Sequence, residues 1–475
     1  MASSEISPFA KTGGLGDILC SLPRALHRLG LEVSLVMPGY RSVREKGFEL
    51  EDTGVRLSIP VGERREKGAL LKIKTGSDIP VYLVRADRYF DRKYLYGTPE
   101  GDYPDNAERF VFFTRAVLEM MRLNPPEVLH VHDWQSALVV AFLKTQPRLY
   151  PELSHVKTVF TVHNLGYQGI FPAESWGLLN LSREHFNLHQ LEFYGKVNFL
   201  KGGAVYADAV TTVSPTYAAE IQSPEQGFGL DGLFRERAAS LHGIINGVDY
   251  NDWNPETDPH IAAGYSCADL AGKRVCKAAL QRTFGLSEAP AVPLVAMVTR
   301  LSAQKGLDLV AEGLPDMMSR GLQFVILGTG EKYYQDLFTR LHRHYPKKMG
   351  IRIDFDEPLA QQIMAGADIL LQPSRYEPCG LTQLYALRYG TVPVVRAVGG
   401  LRDTIQENSD DGSWGNGFVF NDYRVGDLLA AVGRTLALYR QPERWLTLMQ
   451  RGMAQDFSWG LSAQQYIELY RGLTG

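Results

Sequence analysis

Cysteine is scarce in this chain, with four in 475 residues, and Cys20, Cys267, Cys276 and Cys379 lie far apart without CxxC spacing. That excludes a disulfide framework and a zinc site of the usual spacing, and it reads as reduced thiols in a cytoplasmic protein. No uninterrupted apolar run reaches the length that spans a bilayer. The start has no basic region followed by an apolar one, so no membrane partner and no export are expected. A basic excess is missing too: 50 Lys and Arg stand against 53 Asp and Glu, for a net charge of -3. A nucleic-acid partner, which needs a basic stripe, is therefore not expected. Internal repeats and low-complexity segments are absent. What remains, 45% hydrophobic and 22% charged residues, is an ordinary globular composition, and the length calls for two domains.

One stretch organises the rest: Ala367, Asp368, Ile369, Leu370, Leu371, Gln372, Pro373, Ser374, Arg375, Tyr376, Glu377, Pro378, Cys379, Gly380, Leu381, Thr382, Gln383. The apolar run predicts a buried strand, the two prolines a loop, and the apolar spacing of Leu381, Leu384, Tyr385 and Leu387 a helix. In a parallel sheet this order puts Glu377 at the carboxyl end of a strand, beside a helix N-terminus suited to anions. A sugar-phosphate donor fits there; a crossover turn with one exposed glutamate is the plainer reading.

Towards the start, Lys11, Thr12, Gly13, Gly14, Leu15, Gly16 and Asp17 precede a helical pattern through Ile18, Leu19, Leu22, Leu26 and Leu29. Glycines at a helix entrance let backbone approach a phosphate or sugar, and Lys11 adds a cation. The lysine comes before the glycines, so this is not a Walker loop, and GxGxxG is absent; a tight turn is the alternative. Residues 33–37, 55–61, 70–74 and 79–84 read as strands, the middle two as an antiparallel insertion. Asp105 is an expected N-cap for the long helix that follows. Residues 128–132 and 156–162 are strands whose tips carry His130, His132 and Asp133 in one case and His163 in the other. Asp133 and His163 read as functional because sheet crevices bind ligands at such tips, His130 and His132 as structural. Their spacing is not that of a metal site.

Beyond residues 241–249 the chain turns polar and proline-rich through Asn254, Pro255, Glu256, Thr257, Asp258 and Pro259; a domain boundary is expected close by. Strand and helix then alternate again: residues 294–298, a helix after Lys305, residues 324–327, a helix after Glu331, and residues 351–355. This predicts a second parallel sheet covered on both faces. Arg300 and Lys305, at its first strand tip, offer two cations to a diphosphate. The amphipathic tail through Leu461, Tyr466, Leu469 and Tyr470 reads as packing.

Together and in this order, KTGGLGD, HDW, VHNLGYQG, INGVD, TRLSAQKGLD, SRYEPCGLTQ and the closing DFSW resemble bacterial glycogen synthases and plant starch synthases over nearly the whole chain. The resemblance implies an α/β protein of two Rossmann-like, doubly wound domains facing across a cleft, the GT-B architecture. It sets residues 1–243 as an acceptor-side domain onto which helix 458–475 packs back, and 244–457 as the nucleotide-sugar domain. It implies an enzyme that transfers glucose from ADP-glucose to the non-reducing end of an α-1,4-glucan, glycogen or a maltooligosaccharide, with retention and with no metal or other cofactor. By position, Arg300 and Lys305 would hold the diphosphate, with the Leu381 and Thr382 amides after Gly380. Glu377 would bind the glucose hydroxyls, Asp133 and His163 the sugar near its reacting carbon, and Asn246 its pocket. Gly13 and Gly14 would close over the donor with Lys11 nearby, and Tyr96 and Glu5 would meet the acceptor glucan. A sugar-nucleotide epimerase, a glucan phosphorylase or a non-catalytic glucan-binding protein shares such an architecture. Relatives resembling the chain carry several apolar β-branched residues before the segment matching Ser4, Glu5, Ile6, Ser7, Pro8 and Phe9. Their absence here leads to the expectation of a truncated start and of a first sheet short of most of one central strand.

Overall fold

The structure, a computed structural model, describes residues 1–98 and 100–475. The chain divides into two compact units, Met1–Gly247 with Trp459–Gly475, and Val248–Ser458. The polar segment from Asn254 to Pro259 follows the start of the second unit closely and is tied down within it: Arg388 donates to Asn254 Oδ1 at 2.9 Å and Tyr265 N to Pro255 O at 3.0 Å.

In the first unit, Val128–His132, Lys157–Val162, Ala209–Thr212 and Leu241–Gly243 pair in parallel in that order. Leu35–Pro38 pairs in parallel with Val81–Arg85, which continues antiparallel into the hairpin Arg64–Ile73 and Leu50–Val61. The expected insertion is thus an extension of the sheet. Ala2 joins the two halves by parallel bridges to Val36 and Val131. Its N–H donates to His130 O at 2.9 Å and its carbonyl accepts from His132 N at 3.2 Å. The position anticipated for a central strand therefore holds a bridge.

Helix Gly14–Arg28 buries Ile18, Leu19, Leu22 and Leu26, residues three or four apart on one face. Helix Asn106–Leu123 is buried almost all round, Arg109 and Arg115 included. Arg109 is fully buried because its guanidinium is spent on Tyr89 O, Asn106 Oδ1 and Leu95 O at 2.6–2.9 Å, which offsets the cost of taking the charge out of water. Asp105 occupies the N-cap position, but its side chain caps nothing. Arg92 takes both carboxylate oxygens instead, at 2.5 and 2.7 Å, a bidentate pair stronger than a cap bond. The tail helix Trp459–Thr474 belongs to this unit: Ser462 Oγ donates to Ile245 O at 2.6 Å, and Tyr470 reaches His130.

The second unit carries a six-stranded sheet in the order Met349–Arg352, Gln323–Leu327, Leu294–Val298, Ile369–Gln372, Val392–Arg396, Phe418–Phe420. Every pair is parallel. Its strands read as unbroken apolar runs because helices cover both faces; Gln323–Leu327 is buried throughout.

Candidate active site

Strand order alone marks a place in the second unit. From Leu294–Val298 the chain winds outwards through Gln323–Leu327 to Met349–Arg352. It then returns to lay Ile369–Gln372 against the other side of Leu294–Val298 and winds away in the opposite direction. Loops leaving these two neighbouring strands diverge, and the crevice they leave is where doubly wound sheets bind ligands. Lys305 comes from one loop and Glu377 from the other, and Lys305 Nζ donates to Glu377 Oε2 at 2.6 Å. Ser374 Oγ donates to the same oxygen at 2.9 Å.

Glycines make this approach possible. Gly306 has a φ of +70°, and a Cβ on it would lie 2.0 Å from Pro373 O. Gly399, at a φ of +43°, would place a Cβ 1.9 Å from Glu377 O, while Gly400 N donates to that carbonyl at 3.1 Å. Glu377 is thus held at both its backbone and its carboxylate, and it is only 5% exposed. Ser374 and the Gly399–Gly400 pair are not among the sequence-derived candidates. The signal for the pair is two glycines shortly after an apolar strand. Arg300 stands exposed at the tip of Leu294–Val298, its neighbour Leu301 fixed by bonds with Thr329 and Glu331. Gly380 has a φ of +73°, Leu381 is the N-cap of helix Thr382–Arg388, and Gln383 Nε2 reaches back to Cys379 O and Gly380 O at 3.0 and 2.9 Å. The first N–H groups of that helix have no intrahelical acceptor and face any anion placed before them.

The first unit offers a different set. Asp133 ends Val128–His132 with a left-handed φ of 57°, a conformation that costs a non-glycine residue about 1–2 kcal/mol. Its Oδ1 accepts from His163 N, at the next strand tip, at 2.8 Å. Burial pushes the Asp133 carboxyl up to about 7, against backbone N–H groups of His163 and Asn164 that lower it. Burial also lowers His163 to about 3. His132 Nδ1 lies 3.0 Å from His163 Nε2, so His132 joins this cluster. Strand alternation sets His130 and His132 on one face, and His130 is fixed by Tyr470 OH and Thr161 Oγ1 at 2.7 and 2.6 Å. Asn246 is buried after Leu241–Gly243, and its Oδ1 has no partner.

The glycine turn has an internal anion. Glu5, 4% exposed, accepts from Thr12 N at 2.5 Å, Thr12 Oγ1 at 2.7 Å, Gly13 N at 3.3 Å and Tyr96 OH at 2.7 Å. Glu5 and Tyr96, expected at an acceptor, are thus bonded to each other and to the turn. Gly13 is the N-cap of helix Gly14–Arg28, and Lys11 Nζ pairs with Asp17 at 2.6 Å. Among the described residues no His, Cys, Asp and Glu group is arranged to hold a metal ion, and no helix is long and apolar enough to cross a membrane. Chemically, the second unit presents cations, amides and one fixed carboxylate. The first presents uncharged imidazoles and a carboxyl that burial shifts towards its protonated form at adjoining strand tips.

Comparison with known proteins gives these two sets a common setting. Residues 1–236 match the family model "Starch synthase catalytic domain" and residues 284–447 match "Glycosyl transferases group 1". The glycogen synthase of Syntrophotalea carbinolica is 50% identical over 475 residues, covering 99% of this chain and 98% of that protein. The glycogen synthase of Koribacter versatilis is 48% identical, covering 99% and 96%. Among solved structures, the catalytic domain of starch synthase IV from Arabidopsis thaliana, bound to ADP and acarbose, is 32% identical with a TM-score of 0.91, covering 100% of this chain and 98% of that one. Sucrose-phosphate synthase from Thermosynechococcus elongatus, 18% identical with a TM-score of 0.63 over 99% and 98%, shares the fold. The fold is thus that of the GT-B glycosyltransferases, and the chain belongs to the glycogen synthase and starch synthase family.

Proposed function

We propose that this glycosyltransferase moves glucose from ADP-glucose to the non-reducing end of an α-1,4-glucan, glycogen or a maltooligosaccharide, with retention of configuration. The observation that carries the reading is the Lys305–Glu377 pair at the switch point of the second sheet. It sets a cation for phosphate beside a carboxylate for sugar hydroxyls. The likeness to a starch synthase domain solved with ADP supports the adenine nucleotide. Four free cysteines support a reducing, cytoplasmic location.

In this reading Arg300 and Lys305 neutralise the diphosphate as it departs, with the Leu381 and Thr382 amides beyond Gly380 completing the cradle. Only one Lys305 N–H is needed by Glu377, so the others remain for phosphate oxygens. Glu377 accepts from glucose hydroxyls, and His163, Asp133 and Asn246 are assigned to sugar contacts in the first unit. Lys11, Gly13 and Gly14 form the backbone wall on the donor side, and Glu5 with Tyr96 keeps that wall in shape for the acceptor. The C1–O bond to phosphate breaks while C1 bonds to the acceptor 4-oxygen on the same face, and the acceptor proton passes to the departing phosphate oxygen. No protein nucleophile is required.

The test is glucose transfer to glycogen with ADP-glucose and UDP-glucose in parallel. Transfer from ADP-glucose, with UDP-glucose used less efficiently, is the expected result. No transfer from either, or equal use of both, overturns the respective part of the reading.

A further inference from the structure

His132 and His163 share one hydrogen bond, and each has a ring nitrogen left over. His132 Nδ1 and His163 Nε2 are 3.0 Å apart, while His132 Nε2 and His163 Nδ1 are both buried without a partner. Burial keeps both rings uncharged at neutral pH, so each carries a single N–H. Two arrangements satisfy the bond. If His163 Nε2 donates, the proton of His132 must sit on its Nε2, in a side chain with no exposed surface, and that N–H is orphaned for good. If His132 Nδ1 donates, His132 Nε2 is a bare lone pair, and the spare N–H moves to His163 Nδ1, in a residue that retains some exposure. Orphaned buried N–H donors are rarer and costlier than orphaned acceptors. Each arrangement leaves one such donor; the second leaves it in the residue of the two that keeps some exposure, where a ligand can supply the acceptor, and it is favoured for that reason. The His130 ring, its centroid 4.1 Å from that of His132 at an interplanar angle of 34° and bonded on both nitrogens, packs against His132 and hinders it from turning away.

We propose that His132 is a positioning residue that fixes the proton of His163 on Nδ1, leaving His163 as a hydrogen-bond donor to an oxygen of the bound sugar. His132 thereby does for an uncharged sugar contact what a backbone carbonyl or carboxylate does behind many functional histidines, selecting the tautomer through the far side of the ring. The choice of a sugar oxygen as acceptor rests on the proposed function; the tautomer does not.

The test has two arms on the full-length chain. With ¹⁵N-labelled histidine, long-range ¹H–¹⁵N correlations distinguish the two tautomers, and the His163 signals are identified by their loss in His163→Asn. The expected result is a proton on His163 Nδ1; a proton on Nε2 overturns the proposal without any variant at His132. In the second arm, His132→Leu is expected to lower kcat/KM about tenfold to a hundredfold. His132→Asn, whose amide N–H overlays Nδ1, is expected to stay within about threefold of the unsubstituted chain by keeping that donor. In a His163→Ala background His132→Leu is expected to add less than about a twofold loss, since its effect passes through His163. Equal damage from His132→Asn and His132→Leu, or losses that multiply, overturns it. Absence of glucose transfer by the unsubstituted chain would instead remove the functional reading, and the NMR arm would still decide the tautomer.

Discussion

The carboxyl edges of the two sheets are built from opposite materials. In the second unit, charge does the positioning: Lys305 and Glu377 meet at 2.6 Å over loops brought within contact by Gly306 and Gly399. In the first unit burial works against charge at the strand tips. His130, His132 and His163 are held neutral by burial, and Asp133 is pushed up to about 7. The remaining carboxylate, Glu5, is spent on two backbone N–H groups and two hydroxyls. A diphosphate leaving group needs fixed positive charge, whereas sugar hydroxyls need directional, uncharged donors and acceptors. The contrast between the edges is what the proposed function calls for.

The sharpest way to break the comparison is Lys305→Ala. If charge is what the second unit contributes, removing it costs about 2–4 kcal/mol of barrier, a fall in kcat of about 30-fold to 1,000-fold. Steady-state kinetics should show that fall with the KM for glucan little altered. Unchanged turnover would remove the distinction between the edges.

Glu5→Ala tests the claim that the carboxylate of the first unit holds a turn. It leaves the Thr12 and Gly13 amides without their acceptor and should lower stability by about 1–3 kcal/mol, read as an earlier urea midpoint. Tyr96→Phe, which removes one of the four donors, should cost about 0.5–1.5 kcal/mol. A glucan-binding defect at full stability would contradict this reading.

The neutral edge also has a pH signature. Asp133 rises from 3.8 to about 7 on folding, so the folded chain keeps a proton the unfolded chain releases. Its stabilisation is complete below about pH 4 and is lost as pH rises through 7. His163 falls from 6.5 to about 3 and works the other way, so its share of stability grows as pH rises from 3 to 6.5. The two oppose each other between about pH 4 and 6.5. Asp133→Asn should unmask the histidines and make stability climb more steeply over that window, by up to about 1.4 kcal/mol per pH unit. Chemical denaturation across that range checks the slope; an unchanged slope would show Asp133 ionised in the fold.

The smallest effects compare the units through their helix caps. Ser214 Oγ accepts from Tyr217 N at 2.8 Å in the first, and Asp356 Oδ1 from Leu359 N at 2.9 Å in the second. Alanine at either should cost about 1 kcal/mol. Following unfolding with probes in each unit will show whether each loss stays local.

Much of this was readable from residue order. Apolar runs alternating with helical patterns predict the parallel second sheet, and proline and glycine spacing predicts the loop carrying Glu377. These are local signals, fixed by period and turn chemistry over a few residues. Asp105 shows the limit of such rules. It stands at the cap position, yet Arg92, distant in sequence, claims its carboxylate. Arg388, likewise distant in sequence, anchors a segment that composition alone marks as polar and proline-rich.

Sequence by itself therefore determined the strand and helix inventory, the family, and the chemical types available at each strand tip, because backbone periodicity and residue chemistry are local properties. Only the tertiary structure decided which of those groups meet. It joined Lys305 to Glu377, gave the Glu5 carboxylate to Thr12, Gly13 and Tyr96, and brought His132, which reads as a structural histidine in one strand, against His163 in the next. Hydrogen bonds and burial depend on neighbours that strand pairing supplies, and strand pairing joins residues far apart in the chain.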